Sequence, residues 1–316
     1  VGSFDVIVIG AGVSGLTTAV CLAEAGLRVR VWTAEPPLAS TSVAAGALWL
    51  PYLVEDGGRA AAWSGRTLDA LRGLAADPET GVHLSAGVEA SRVPLAPPAW
   101  AGQVAGFRAC RPGELPAGFV TGWRFTAPLV DMPAYLGYLQ RRLAAAGGAV
   151  EVRRVGSLDE ATAAAGVVVN CAGVGARELV GDRQVVPVRG QVVVVENPGI
   201  EEFFAEDPGR SPEMTYYLPH GQTVVLGGIA EHGDWRREPD RDTAYAILAR
   251  CAAVEPSLRG ARVLDHRVGL RPARPSVRLE QERVGGTRVL HNYGHGGSGV
   301  TLSWGCAADV ATLVVG

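Results

Sequence analysis

A chain of 316 residues is too long for one small domain and about right for two packed ones. Its hydrophobic content of 47% can fill a sizeable core, and its charged fraction of 19% is low for a soluble chain. A formal net charge of -3, with no basic block, gives nucleic acid nothing to bind, and no apolar run reaches the roughly 18–20 residues that cross a bilayer.

The chain enters its first strand directly from Val1-Gly2-Ser3, so no cleavable leader is expected. Val6-Ile7-Val8-Ile9 is an unbroken apolar run, as a parallel strand buried on both faces requires. Gly10-Ala11-Gly12-Val13-Ser14-Gly15 follows at once, then a helix from Leu16 to Ala25 that ends at Gly26, then a strand from Arg28 to Trp32. This is a complete βαβ unit. Gly10 makes the tight turn, Gly12 lets backbone approach a pyrophosphate, and Gly15 lets the helix lie close on the strand. The helix N-terminus adds N–H groups and partial positive charge for the phosphates. A dinucleotide site is therefore expected, the alternative being a turn with no ligand. Glu35 stands about 20 residues further on, where an acid would hold the adenosine ribose; a solvated loop carboxylate is its other reading.

Three further segments favour FAD over NAD. Thr41-Ser42-Val43-Ala44-Ala45-Gly46 is a run of small residues that allows close approach to a long cofactor. Val167 to Gly173 reads as a buried strand ending in small residues, among them Ala172, where the chain could pass beside the dinucleotide. His291-Asn292-Tyr293-Gly294-His295-Gly296-Gly297-Ser298-Gly299-Val300-Thr301 leads into an apolar helical run to about Leu313. Too few residues remain after Gly299 for a second Rossmann unit, but a glycine loop at a helix N-terminus can direct partial positive charge at a reduced flavin. A glycine-rich turn that caps a helix is the alternative. With room for one dinucleotide only, the expected electron acceptor is O₂ or a small carrier.

The five cysteines, Cys21, Cys110, Cys171, Cys251 and Cys306, are odd in number and scattered, so neither a disulfide framework nor a zinc site is expected. They read as small hydrophobes in a reducing cytoplasm. Runs such as Gln191 to Val195, Met214 to Leu218 and Thr223 to Leu226 read as strands.

Taken together, these residues resemble the D-amino acid oxidases within the glycine/sarcosine oxidase-like flavoproteins. The likeness covers nearly the whole chain: Val8 to Leu16, Val43 to Gly46 with Trp49, Pro51 and Tyr52, Val169 to Gly173, and Arg189-Gly190-Gln191. It continues through Leu226-Gly227-Gly228, Gly233-Asp234-Trp235, Gly269-Leu270-Arg271-Pro272 to Pro275, and His291 to Gly297. The resemblance implies an α/β fold, with a Rossmann-type FAD-binding domain from 1–48, 140–185 and 259–316. A second, mixed-sheet substrate domain would comprise 49–139 and 186–258.

The resemblance also implies roles. Arg271 would clamp a substrate carboxylate, Tyr216 would add a hydroxyl to it, and the Gly297 carbonyl would accept from the amine. FAD contacts would come from Gly10 to Gly15, Glu35, Thr41, Ser42, Ala45, Gly46, Val155 and Ala172, and from Gly296 to Thr301. The implied reaction is oxidation of a neutral D-amino acid by hydride transfer, with O₂ reoxidising the flavin and a homodimer as the expected assembly. Two positions depart from the family pattern. Pro212 stands where the lid loop often carries a second tyrosine, which implies a more open access. Ala230 stands where D-aspartate oxidases place an arginine, leaving Arg210 as the remaining counter-cation for a dicarboxylate. Glycine or sarcosine oxidation, and a flavin-binding protein without turnover, are the other readings.

Overall fold

The structure is a computed structural model that describes residues 4–51, 58–111, 113–207 and 214–316. Pro212, Arg210 and Tyr52 lie outside the described residues. The strands are β1 (Phe4–Ile9), β2 (Val29–Thr33), β3 (Val82–Ser91), β4 (Ala105–Ala109), β5 (Thr121–Val130), β6 (Ala149–Val152), β7 (Ala165–Asn170) and β8 (Val186–Glu196). They continue as β9 (Phe203–Glu206), β10 (Tyr216–His220), β11 (Thr223–Gly227), β12 (Glu231–His232), β13 (Val263–Ala273), β14 (Arg278–Val284) and β15 (Thr287–Tyr293). The α-helices are α1 (Val13–Glu24), α2 (Arg59–Leu74), α3 (Met132–Ala145), α4 (Leu158–Thr162), α5 (Ala176–Leu179), α6 (Arg241–Val254) and α7 (Gly299–Val315).

One sheet has the order β14-β15-β7-β1-β2-β6. Its inner strands are parallel, and β14 returns antiparallel to β15. Successive residues of β1 serve opposite faces, as strand pleating demands. Val6 and Val8 join the core under α1 and α7, while Ile7 and Ile9 join a second cluster with Trp32, Leu158 and Val168. That double burial is why β1 is apolar at every position.

The other sheet is mixed, with the order β12-β8-β11-β10-β9-β3-β5-β4 and β13 added along β8. The apolar side of α6 covers one of its faces, through Ala244, Ile247 and Cys251 against Val193, Val195, Val224 and Leu226. The opposite face looks toward the first sheet.

Two expected domain boundaries need correction. The division at 139/140 falls inside α3, which packs on α1. The segment beginning at 259 contains β13, which pairs along β8 from Val263↔Val195 to Ala273↔Val186 and so belongs to the second sheet. All five cysteines are free.

Helix α7 closes the molecule. As a sequence it is interrupted by Thr301, Ser303 and Asp309, yet the helical run Gly296–Val315 is long and apolar enough to cross a membrane, with hydropathy 1.3. That corrects the expectation that no such run exists. Its inner side is packed instead, against α1 and α2. Gly305 sits at the α2 crossing, where an added Cβ would lie 2.3 Å from the Trp63 backbone. The Gly305 N–H donates to Thr67 Oγ1 at 3.0 Å, and Trp63 Nε1 donates to Asp309 at 2.7 Å. Gly305→Ala should therefore destabilise the fold by about 1–3 kcal/mol, because backbone rather than a flexible side chain would have to move. Denaturant unfolding that matches wild type would show the helices to be less tightly crossed than described.

Candidate active site

A cavity of about 660 Å³ runs between the two sheets. That is within the range of cofactor and ligand sites. Its floor begins at the turn from β1 to α1. Gly10 has φ +104°, and a Cβ there would lie 2.4 Å from the Cys171 carbonyl oxygen. A Cβ on Gly15 would lie 1.9 Å from the Gly10 carbonyl oxygen. No side chain fits at either position, so the glycines bring α1 and the end of β7 against the turn. Gly12 caps α1 with extended backbone, and the first-turn N–H groups of the helix face the cavity region.

The small-residue run after β2 is held in place by its hydroxyls. Ser42 Oγ accepts from the Val13 N–H at 2.9 Å, and Thr41 Oγ1 accepts from the Leu270 N–H at 3.2 Å. This ties the run both to α1 and to β13. At the far side, Thr301 Oγ1 donates to the Leu50 carbonyl at 3.0 Å, fixing the start of α7 against residue 50. Under the glycine turn lies His295, which is buried and neutral, its pKa pushed down to about 4 by desolvation. Its Nε2 donates to Asn292 Oδ1 at 3.0 Å, since Asn292 Nδ2 already donates to Thr18. Its Nδ1, 3.5 Å from Ser14 Oγ, is then the acceptor.

Nearly all the residues expected from sequence line this cavity: Gly10 to Gly15, Glu35, Thr41, Ser42, Ala45, Gly46, Val155, Ala172, Gly296, Gly297, Gly299, Val300 and Thr301, with Tyr216 and Arg271. Ser298 does not; it is 1% exposed inside the turn. Glu35 is an ion-paired carboxylate. It faces the cavity, but Arg237 donates to both its oxygens at 2.5 and 2.8 Å, which holds the carboxyl below its usual range. Trp32, Arg153 and Arg154 complete that end, with the Arg153 guanidinium 4.0 Å over the Trp32 ring. None of the three is signalled in the sequence, because they meet only when β2 and β6 pair.

The other end is built on the cavity face of the second sheet. Arg271 pairs with Val188 across β13 and β8, and its guanidinium lies over Gly190, where a Cβ would be 2.5–2.6 Å from three of its atoms. Its Nη1 donates to the Ile229 carbonyl at 3.0 Å, which orients the group and leaves other N–H donors of the fork for an anion. The Tyr216 ring leans over Gly227, whose Cβ would meet the phenol at 1.9–2.4 Å, and touches Gly46. Tyr217 points the other way and stacks on Phe204. Gly190, Gly227 and Gly46 thus make room for the two polar side chains. The residues fit a dinucleotide carrying a flavin: a cradle with no Cβ at one end, and a fixed cation and phenol at the other.

Comparisons with known proteins agree. Residues 5–313 match the family of FAD dependent oxidoreductases. The chain is 55% identical over 310 residues to a D-amino-acid oxidase of Rubrobacter xylanophilus, covering 97% of this chain and 94% of that protein. It is 52% identical to a D-amino-acid oxidase of Streptomyces coelicolor (98% and 96% covered) and 39% identical to a human D-aspartate oxidase (97% and 93%). Among solved structures, glycine oxidase from Geobacillus kaustophilus superposes with a TM-score of 0.83 at 20% identity, covering 99% and 95% of the two chains.

Gly12→Val should place a branched side chain in the cradle, its first atom 3.1 Å from Ser42 Oγ, and yield protein depleted in flavin. The ratio of flavin absorbance to protein absorbance measures it, and a fully yellow variant would remove Gly12 from the cradle. The chain belongs to the family of FAD dependent oxidoreductases, and the dinucleotide for which this cavity is shaped is FAD.

Proposed function

We propose that the protein oxidatively deaminates D-amino acids with neutral side chains to 2-oxo acids and ammonia, with O₂ reduced to hydrogen peroxide. The observation that carries this is the Arg271 guanidinium lying over Gly190 beside Tyr216, in the same cavity as the glycine cradle. A guanidinium fork binds a carboxylate through parallel N–H bonds and so fixes orientation as well as position. The Tyr216 hydroxyl donates to the same carboxylate, and the Gly297 carbonyl accepts from the amine. Those contacts hold the Cα–H in one direction, so an L-enantiomer bound by the same groups would turn it away. FAD supplies the two-electron acceptor for the hydride leaving Cα, and O₂ restores it. The residues supply alignment and charge rather than a base. At the cofactor end Glu35 is paired with Arg237, and His295 is buried with its Nε2 bonded to Asn292. The resulting imino acid hydrolyses in water.

A D-aspartate oxidase activity is the second reading, favoured by the human relative. Ala230 argues against it. A smaller cavity of about 90 Å³ beside Arg271 is lined by Ala230, His232, Arg274 and Gly296, and Arg274 there is bonded to Asp182 at 3.0 Å. A dicarboxylate would bury its second charge without a dedicated partner, at a cost of several kcal/mol. The five free cysteines support a reducing, cytoplasmic setting. The two sheets correspond, on this reading, to a cofactor half and a substrate half.

Arg271→Ala should lower kcat/KM by roughly 10²–10³-fold, the loss of a charge-assisted pair of about 3–5 kcal/mol, while flavin stays bound. Gly190→Ala should act on the same contact from below. Its Cβ would displace the guanidinium and raise KM by about tenfold with little change in melting temperature, because only a flexible side chain must move. Near-normal kinetics in both variants would take Arg271 out of the site. In a peroxide-coupled assay, neutral D-amino acids should exceed D-aspartate by about tenfold or more in kcat/KM. D-aspartate as the best substrate would reverse the assignment.

A further inference from the structure

Residues 233–240, between β12 and α6, form an arm that leaves the second sheet and reaches the cofactor end of the cavity. Both of its ends are pinned to β8 or the residue before its sheet face. The Gly233 N–H donates to the Pro187 carbonyl at 2.8 Å. The Gln191 amide accepts from the Asp240 N–H at 2.8 Å and donates to the Asp240 carbonyl at 2.7 Å. Between these anchors, buried Arg189 donates to the carbonyls of Arg236 and Glu238 at 3.2 and 2.9 Å. Those two bonds flank residue 237 and fix its backbone. From there the Arg237 side chain crosses to the loop after β2. It donates to both oxygens of Glu35, at 2.5 and 2.8 Å, and to the Ala39 carbonyl at 3.2 Å. Thr33 Oγ1 donates to the Glu35 carbonyl at 2.8 Å, which holds the receiving loop against the strand end. Trp235 and Arg237 of the arm, and Thr33 and Glu35 of the loop, all line the main cavity.

The end of β2 is where a Rossmann unit meets the adenosine ribose, and an acid there ordinarily accepts from the ribose hydroxyls. Here the two oxygens of that acid face a guanidinium delivered from the other sheet. We propose that Glu35 and Arg237 form a clasp that locks the 233–240 arm across the adenosine end of the cavity and slows the release of FAD. Retention of the cofactor in this way is independent of which substrate the enzyme takes. Two parallel N–H···O bonds hold the arm in one position. Both side chains are about half exposed, at 51% and 42%, so solvent and salt weaken the pair, and its effect is several-fold and not all-or-none. Arg189 supplies what an ordinary surface pair lacks. Because it immobilises the backbone on either side of residue 237, closing the clasp costs the ordering of side chains and not of a loop.

The test follows the release of FAD from loaded protein diluted into FAD-free buffer, as flavin recovered in the ultrafiltrate with time. Arg237→Gln should release FAD about fivefold faster than wild type, and so should Glu35→Gln. The charge-reversed protein, Glu35→Arg with Arg237→Glu, should return to within about twofold of the wild-type rate. Raising salt from about 0.05 M to 1 M should quicken release from wild type more than from Arg237→Gln, whose clasp is already open. Melting temperatures of the apoproteins should nearly coincide, since neither side chain is buried, so the differences in rate belong to the cofactor. The direct alternative has the opposite sign. If Glu35 holds the ribose itself, Arg237 competes for it, and Arg237→Gln releases FAD more slowly. Release from Arg237→Gln at or below the wild-type rate overturns the clasp. So does a charge-reversed protein that loses FAD as fast as the single variants, or a salt dependence that Arg237→Gln leaves unchanged.

Discussion

The register of β13 on β8 is the constraint on which the site depends. It sets Gly269 opposite Gly190 and Arg271 opposite Val188, so the guanidinium falls on Gly190, which has no side chain to displace it. A slip of one residue would turn every side chain of β13 to the other face and remove the cation from the cavity. The same strand carries Leu270, whose backbone is held by Thr41, and through Thr41 and Ser42 the register reaches α1 and the glycine cradle. One ladder therefore fixes the substrate end and the cofactor end relative to each other, which is what transfer over a short distance demands.

Glycine acts here by subtraction. At Gly10 and Gly15 it removes the atoms that would hold α1 off the sheet; at Gly190 and Gly227 it removes those that would lift Arg271 and Tyr216 out of place. The Arg271 guanidinium is then oriented by backbone, through the Ile229 carbonyl.

The cofactor half was legible in the sequence because its signals are local: an apolar strand, a glycine turn and a helix follow one another within thirty residues. The cation and phenol were legible through the family resemblance. What escaped depends on long-range pairing. Arg237 reaches Glu35 across some two hundred residues, and nothing near either of them announces the bond. β13, with its exposed first half, gave no sign of which sheet it joins. Ser298 lies buried in its tight turn, and a loop composition cannot say which residue of such a turn faces inward.

Anaerobic mixing of the purified yellow protein with D-alanine tests the central claim most directly, since it follows the flavin and needs no acceptor. The account predicts that the flavin band near the visible edge bleaches with D-alanine, that L-alanine leaves it coloured, and that air restores it with release of peroxide. A protein that holds FAD and stays yellow with D-alanine and every other D-amino acid would contradict the account.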